Sequence, residues 1–87
     1  MNNLILVVDD DALTRMQLRE LLEYSGYQII EACSGSEALV LYEERQPDMV
    51  LLDALMGEMD GFTCCAHLRS FPQAENVPIL MVTGLAD

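Results

Sequence analysis

The chain has 87 residues, enough for one small domain, and 52% of them are hydrophobic, which argues against disorder. Fifteen acidic residues against four basic ones give a formal charge of −11. This charge argues against nucleic-acid binding by this segment, because phosphate contacts need lysine or arginine. It favours a cation or a basic partner instead. No apolar stretch reaches the roughly 20 residues of a membrane span. The amino-terminal residues lack the basic region of a signal peptide, so we expect a cytoplasmic protein.

The first apolar run, residues 4–8, predicts a strand over residues 4–9. Asp11 follows it and is a favourable N-cap. Leucines then recur at helical spacing through residues 12–24, and Ser25 and Gly26 supply a typical helix end. A strand followed by a helix is therefore the first predicted unit.

A second unit of the same kind follows. Residues 28–32 predict a short strand, and Ser34 with Glu37 has the spacing of a capping box. The helix that this box opens should extend to about Arg45, because Pro47 cannot continue it.

The last part of the chain predicts a third strand at residues 48–53 and a third helix at residues 61–70, capped by Asp60. Residues 77–82 predict a fourth strand, with Pro78 tolerated only near its start. Strands that alternate with helices of this length indicate an α/β fold with a parallel sheet.

Carboxylates follow the first and third strands. Asp9, Asp10 and Asp11 close the first apolar run, and Asp53 closes the third. If the two strands are parallel neighbours, their carboxyl ends gather these acids in the crevice where open α/β sheets bind ligands. Acids that close together repel one another unless a cation lies among them or one of them holds a proton. The pattern therefore predicts a divalent metal site with one carboxylate available to react.

Four sequence motifs occur in order along the chain. They are Ile-Leu-Val-Val-Asp-Asp-Asp at residues 5–11, Pro-Asp-Met-Val-Leu-Leu-Asp at 47–53, Met-Gly-Glu-Met-Asp-Gly at 56–61, and Pro-Ile-Leu-Met-Val-Thr at 78–83. Together they resemble the receiver domain of two-component response regulators. The resemblance implies a flavodoxin-like sheet of order 2-1-3-4 with helices on both faces.

The resemblance also implies a role for individual residues. Asp53 corresponds to the phosphoacceptor, which takes a phosphoryl group from a histidine kinase or a phosphotransfer protein. Asp9 and Asp10 correspond to the acids that hold Mg²⁺, together with Asp53 and the backbone carbonyl of Leu55. Thr83 corresponds to the hydroxyl residue that contacts the phosphoryl group and switches with it. Such a module is a phosphorylated signalling protein and not an enzyme.

Residues 1–87 correspond to only the amino-terminal two-thirds of such a domain, since the sequence stops after the fourth strand. The family's last helix, strand and helix have no counterpart here, and neither has its phosphate-pairing lysine, because the chain contains no lysine. We therefore expect the fourth strand to present an open edge through which chains could self-associate. An alternative function follows from the same features, namely a non-switching structural or interaction fragment.

Two further readings have less support. A phosphohydrolase with an aspartate nucleophile would usually carry a second aspartate two residues later, where this chain has Leu55. Cys64 and His67 have a spacing that could hold a metal on a helix, but no second pair of ligands lies near them in the sequence. The three cysteines contain no CxxC and fit reduced thiols.

Overall fold

The computed structural model describes residues 3–54, 56 and 59–82. Within them the chain forms a parallel sheet of four strands in the order β2-β1-β3-β4, which confirms the predicted flavodoxin-like order. The elements in chain order are β1 (Leu4–Val8), α1 (Ala12–Tyr24), β2 (Gln28–Ala32), α2 (Gly35–Arg45), β3 (Met49–Asp53), α3 (Gly61–Arg69), a 3₁₀ turn (Pro72–Asn76) and β4 (Ile79–Val82). Among these helices none has both the length and the apolar character needed to cross a bilayer.

The helices cover both faces of the sheet, as predicted. Alternate residues of a strand point to opposite faces. The side chains on one face pack with α2 and α3 in the larger core, and they include Leu6, Val8, Val50 and Leu52, each at most 1% exposed. Those on the other face form a smaller cluster with the inward side of α1; its members are Ile5, Val7 and Ile29, with Leu18 and Leu22 packed against them. Because both faces of β1 are buried, its sequence is an unbroken apolar run.

Helix α1 begins and ends as its sequence predicts. The carboxylate of Asp11 accepts a hydrogen bond from the Thr14 amide at 3.1 Å, which satisfies one of the free amides of the first turn. At the other end Gly26 has φ 98°. Its amide donates to Glu23, and that of Tyr27 donates to Leu22, which is the Schellman pattern that favours glycine.

Helix α2 uses the predicted cap with one difference. The Ser34 hydroxyl accepts from the Glu37 amide at 3.1 Å, as expected of the first half of a capping box. The Glu37 carboxylate accepts from the amide of Cys33 at 2.7 Å, one residue before the cap. The helix ends at Arg45, and its C-cap residue Gln46, directly before Pro47, has a φ of 48° in the left-handed region.

The predicted start of the fourth strand was wrong by two residues, because a 3₁₀ turn that was not predicted precedes it. The Val77 amide donates to Ala74 at 3.1 Å and so belongs to this turn. One guanidinium nitrogen of Arg69 donates to the carbonyls of Ala74 and Val77, both at 2.8 Å. The ring of Phe71 stacks on Tyr42 with centroids 5.7 Å apart. The Arg69 cation and the Tyr42 ring, both from outside the turn, therefore stabilise a conformation that includes Val77, the residue at which the strand was predicted to begin.

The first residue of α3 lies against the end of β3. The Gly61 amide donates to the carbonyl of Ala54 at 3.0 Å. A Cβ atom added at Gly61 would lie 2.3 Å from the carbonyl oxygen of Asp53 and 2.6 Å from the Ala54 Cα. Only glycine allows this approach of helix to strand, so it helps to fix the backbone of Asp53.

We predict that Gly61→Ala lowers the free energy of unfolding by about 1–3 kcal/mol, the usual cost of overpacking, because the added methyl meets backbone atoms that cannot rotate away. Gly35→Ala is the matched control, since Gly35 is likewise the first residue of a helix and its added Cβ would meet the side chain of Met59, which can move. Urea unfolding of both variants measures the difference. A Gly61 variant as stable as the Gly35 variant would contradict this assignment.

Candidate functional site

The register between β1 and β3 brings two acidic residues together. Val8 pairs with Leu52, so the next residue of each strand, Asp9 and Asp53, lies at the same edge of the sheet. This edge holds the carboxyl ends of the strands, as the sequence predicted.

Asp9 is held in place by hydrogen bonds just beyond the end of β1. Its amide donates to the carbonyl of Ala32 in β2 at 3.1 Å. Its carboxylate accepts from the amide of Asp11 at 2.8 Å. The residue is only 6% exposed, so this carboxylate lies at the base of the acidic edge.

Three carboxylates converge at this edge. Oxygen atoms of Asp9, Asp10 and Asp53 all lie within 4.8 Å of one another. Asp9 is buried, Asp53 is half-buried and Asp10 is exposed, so the cluster opens from the sheet towards solvent. Asp11 does not belong to it, because its carboxylate accepts from the amide and the hydroxyl of Thr14. The predicted convergence of the first and third strand ends is confirmed for three of the four acids.

Burial raises the pKa of Asp9 above its ordinary value of 3.8. The hydrogen bond from the Asp11 amide offsets part of this increase. The negative charges of Asp53, Asp10 and Asp11 add to it. Two unit charges 4 to 5 Å apart near a protein surface repel by about 3 to 4 kcal/mol. The cluster is therefore unfavourable when fully ionised, and a bound cation or a proton would relieve it.

The donor set suits a hard divalent cation. All three side chains offer oxygen ligands, which Mg²⁺ prefers, and one or two carboxylates with several waters complete a usual Mg²⁺ site. No sulfur or imidazole ligand takes part in the cluster among the described residues. These residues therefore fit Mg²⁺ rather than zinc.

Two of the predicted site residues, Leu55 and Thr83, lie outside the described residues. Asp60 caps α3 by accepting from the Thr63 amide at 2.8 Å, as predicted. The alternative metal pair is not supported, because the Cys64 side chain is buried in the core and His67 is exposed. Burial raises the pKa of the Cys64 thiol to about 11, which leaves it protonated at neutral pH.

Sequence reasoning missed Arg15. In the structure its guanidinium donates to the backbone carbonyl of Asp9 at 2.6 Å and to Glu31 at 3.1 Å. One signal was available in the sequence. Arg15 and Arg19 are four residues apart on the same side of α1 as Leu18 and Leu22, which indicates that both arginines lie near the sheet. Glu31 was a second signal, because it lies between Ile30 and Ala32 in the predicted strand 28–32 and a partly buried carboxylate needs a cationic partner.

Comparison with known proteins agrees with this geometry. The sequence model of the family described as "Response regulator receiver domain" matches residues 5–87. The chain is 41% identical over 83 residues to "Probable transcriptional regulator ycf27" of Porphyridium aerugineum, covering 95% of this chain and 33% of that protein. It is 44% identical over 80 residues to "Response regulator MprA" of Mycobacterium sp. (strain KMS), covering 92% of this chain and 34% of the relative.

A solved structure shows the same fold. The N-terminal domain of a response regulator receiver protein from Methanoculleus marisnigri JR1 superposes with a TM-score of 0.85 at 38% identity, over 90% of this chain and 63% of the other. The chain spans about a third of the length of the curated relatives that it matches. Fold, motif order and family match agree, and the chain belongs to the response regulator receiver domain family, the phosphoacceptor modules of two-component signalling.

Proposed function

We propose that Asp53 accepts a phosphoryl group from a phosphohistidine of a kinase or phosphotransfer protein. The observation that carries this proposal is the convergence of Asp53 with Asp9 and Asp10 at the carboxyl edge of the sheet, with oxygens within 4.8 Å. Asp53 is the half-buried member of the cluster and ends a strand whose other residues are packed in the sheet. Its backbone is therefore fixed while its side chain remains accessible to a donor.

The phosphoryl transfer requires mainly that the Asp53 carboxylate and the donor phosphorus be held in line. A carboxylate oxygen of Asp53 attacks the phosphorus in line, a phosphorus–oxygen bond forms, and the bond between phosphorus and the imidazole nitrogen breaks. The electron pair of that bond stays on the imidazole, which takes up a proton from solvent. The product is an aspartyl phosphate, and catalysis consists mainly of holding the acceptor in place.

Asp9, Asp10 and Asp53 would hold Mg²⁺, with the Leu55 carbonyl as a further ligand. When bound, Mg²⁺ supplies positive charge that offsets the acidic cluster and the phosphoryl oxygens. The contribution of the chain is to keep Asp9 buried and directed to the cluster by its bonds to Ala32 and Asp11. Thr83 would then bond the phosphoryl group and move with it, so that a local change of charge becomes a loop movement.

Residues 1–87 would form the amino-terminal two-thirds of a receiver domain, acting in the cytoplasm as a signalling module and not as an enzyme. Its partners would be proteins, because the charge of −11 opposes binding to nucleic-acid phosphates.

We predict that incubation with acetyl phosphate and Mg²⁺ adds the mass of one phosphoryl group to the chain, and that Asp53→Asn abolishes the addition. Asp60→Asn is the matched control: Asn caps a helix about as well as Asp, and Asp60 lies outside the cluster. Intact-protein mass spectrometry with and without EDTA measures the product, and hydroxylamine should remove it because an acyl phosphate is labile.

Two results would contradict the assignment. Equal labelling of the Asp53 variant would place the acceptor elsewhere. A folded wild-type chain that gains no mass with Mg²⁺ present would favour the non-switching structural role.

The raised pKa of Asp9 predicts a pH-dependent cost in the metal-free protein. Because the pKa of Asp9 is higher in the folded than in the unfolded chain, protonation of Asp9 stabilises the fold. This stabilisation is complete below about pH 3.8 and is lost as pH rises through the raised pKa. Asp9→Asn should therefore be more stable than wild type at pH 7 without Mg²⁺, and the difference should shrink towards about pH 4. Mg²⁺ should stabilise wild type more than the variant. Urea unfolding across pH checks this, and a difference that grows as pH falls would contradict it.

The edge of β4 gives a further prediction. Among the described residues β4 pairs only with β3, and Leu80 on it is 50% exposed. We expect the isolated 87-residue polypeptide to self-associate through this edge and Leu80→Lys to reduce the association, because a charge on an edge strand opposes pairing. Leu21→Lys is the control, since Leu21 is 63% exposed on α1, away from the edge. Sedimentation velocity measures the effect, and a wild-type monomer at all concentrations would contradict the prediction.

A further inference from the structure

Arg15 contacts the acidic cluster through the backbone. Its side chain extends from the first turn of α1, and one guanidinium nitrogen donates to the carbonyl of Asp9 at 2.6 Å. That carbonyl belongs to the peptide that joins Asp9 to Asp10. A bond to it restrains the rotation of this peptide, and with it the directions in which both carboxylates leave the backbone.

Arg15 is itself held on two sides. Its own amide donates to the carbonyl of Asp11 at 3.1 Å, the first bond of α1. Its Nε donates to Glu31 at 3.1 Å, while Arg19 donates to the other oxygen of Glu31 at 2.6 Å. The side chain of Arg15 is 17% exposed and that of Glu31 27%, so this pair is better shielded from solvent than an ordinary surface ion pair.

The hydrogen bond from Arg15 to the Asp9 carbonyl lies where the sheet no longer holds the chain. The pairing of β1 with both neighbouring strands ends at Val8. Beyond that point the amide of Asp9 still reaches Ala32, but its carbonyl is no longer part of the sheet ladder. Arg15 provides the donor that this carbonyl would otherwise obtain from solvent. The two peptides that flank the Cα atom of Asp9 are therefore each held by a hydrogen bond, the preceding one to Ala32 and the following one to Arg15.

We infer that Arg15, oriented by Glu31, is a positioning residue that fixes the Asp9–Asp10 peptide and so sets the geometry of the cation site; this inference rests on the proposed function of that site. The bond acts on the backbone and not on a ligand atom. Groups that orient metal ligands from outside typically alter metal affinity about 10- to 100-fold when removed. Arg15 thus links the start of α1, strand β2 and the acidic edge of the sheet.

The geometry distinguishes orientation from charge. The fork of a guanidinium lets Nε meet Glu31 while a terminal nitrogen meets the Asp9 carbonyl. A lysine at the same position keeps the positive charge but has a single ammonium on a flexible stem, which cannot reproduce the planar pair of bonds. Arg15→Lys should therefore fail to restore the site fully.

The test is a calorimetric titration of the full chain with Mg²⁺ alone. Urea unfolding first establishes a temperature at which every variant is folded, and the titration is done at that temperature. Arg15→Gln should weaken Mg²⁺ binding about 10-fold, and Arg15→Lys should lie between it and wild type. Arg19→Gln is the matched control, because in the described part of the chain Arg19 hydrogen-bonds Glu31 and Glu23 and not Asp9. It should change affinity less than about 2-fold, as expected for an exposed ion pair.

A second readout needs no ion. In amide NMR spectra of the metal-free protein, Arg15→Gln should shift the signals of Asp10 and Asp11 more than Arg19→Gln does. Wild-type Mg²⁺ binding that Arg15→Gln leaves unchanged would overturn the inference, and so would full recovery by Arg15→Lys. If wild type bound no Mg²⁺, the proposed function would fail. The NMR comparison would still test the Arg15 contact: larger shifts in Arg15→Gln than in Arg19→Gln would support it, and equal shifts would reject it.

Discussion

The parallel pairing of β1 with β3 is the constraint on which the rest of the structure depends. Its register, Val8 opposite Leu52, forces Asp9 and Asp53 to one edge although 44 positions separate them in sequence. The apolar residues of both strands secure that register, because a shift of one residue would turn buried side chains such as Leu6 and Val50 to the opposite face. The hydrophobic core therefore holds like charges together against their repulsion.

Several local interactions maintain the acidic edge. The capping role of Asp11 removes that carboxylate from the cluster and starts α1 where Arg15 can reach back to Asp9. The close approach of Gly61 fixes the backbone at Asp53 from the other side. Each contact joins a helix terminus to a strand end, which is how a small α/β sheet with thin stability can hold a precise site.

Much of this architecture could be predicted from the sequence. The strand and helix periods, the caps at Asp11, Ser34 and Asp60 and the glycine turn at Gly26 are local signals, and each was confirmed. The start of β4 was not predictable in the same way, because the turn before it depends on Arg69, a residue distant from the strand itself.

The acids of the site were predictable because the ends of parallel strands meet by topology alone. Their supports were not. The bond from Arg15 to Asp9 depends on the pairing of β1 with β2, which brings Glu31 beneath α1. The spacing of Arg15 and Arg19 and the presence of Glu31 indicate an ion pair, but they do not indicate the contact with the Asp9 carbonyl. Residues that react leave a compositional signal, whereas residues that orient them act through tertiary contacts.

We propose that Asp9, Asp10 and Asp53 share one cation. The most direct test is titration of the isotopically labelled chain with Mn²⁺, whose unpaired electrons broaden nearby amide signals. The signals of residues 8–11 and 52–54 should disappear first, and excess Mg²⁺ should restore them. Earlier broadening at another acidic segment, such as Glu43 and Glu44, would contradict it.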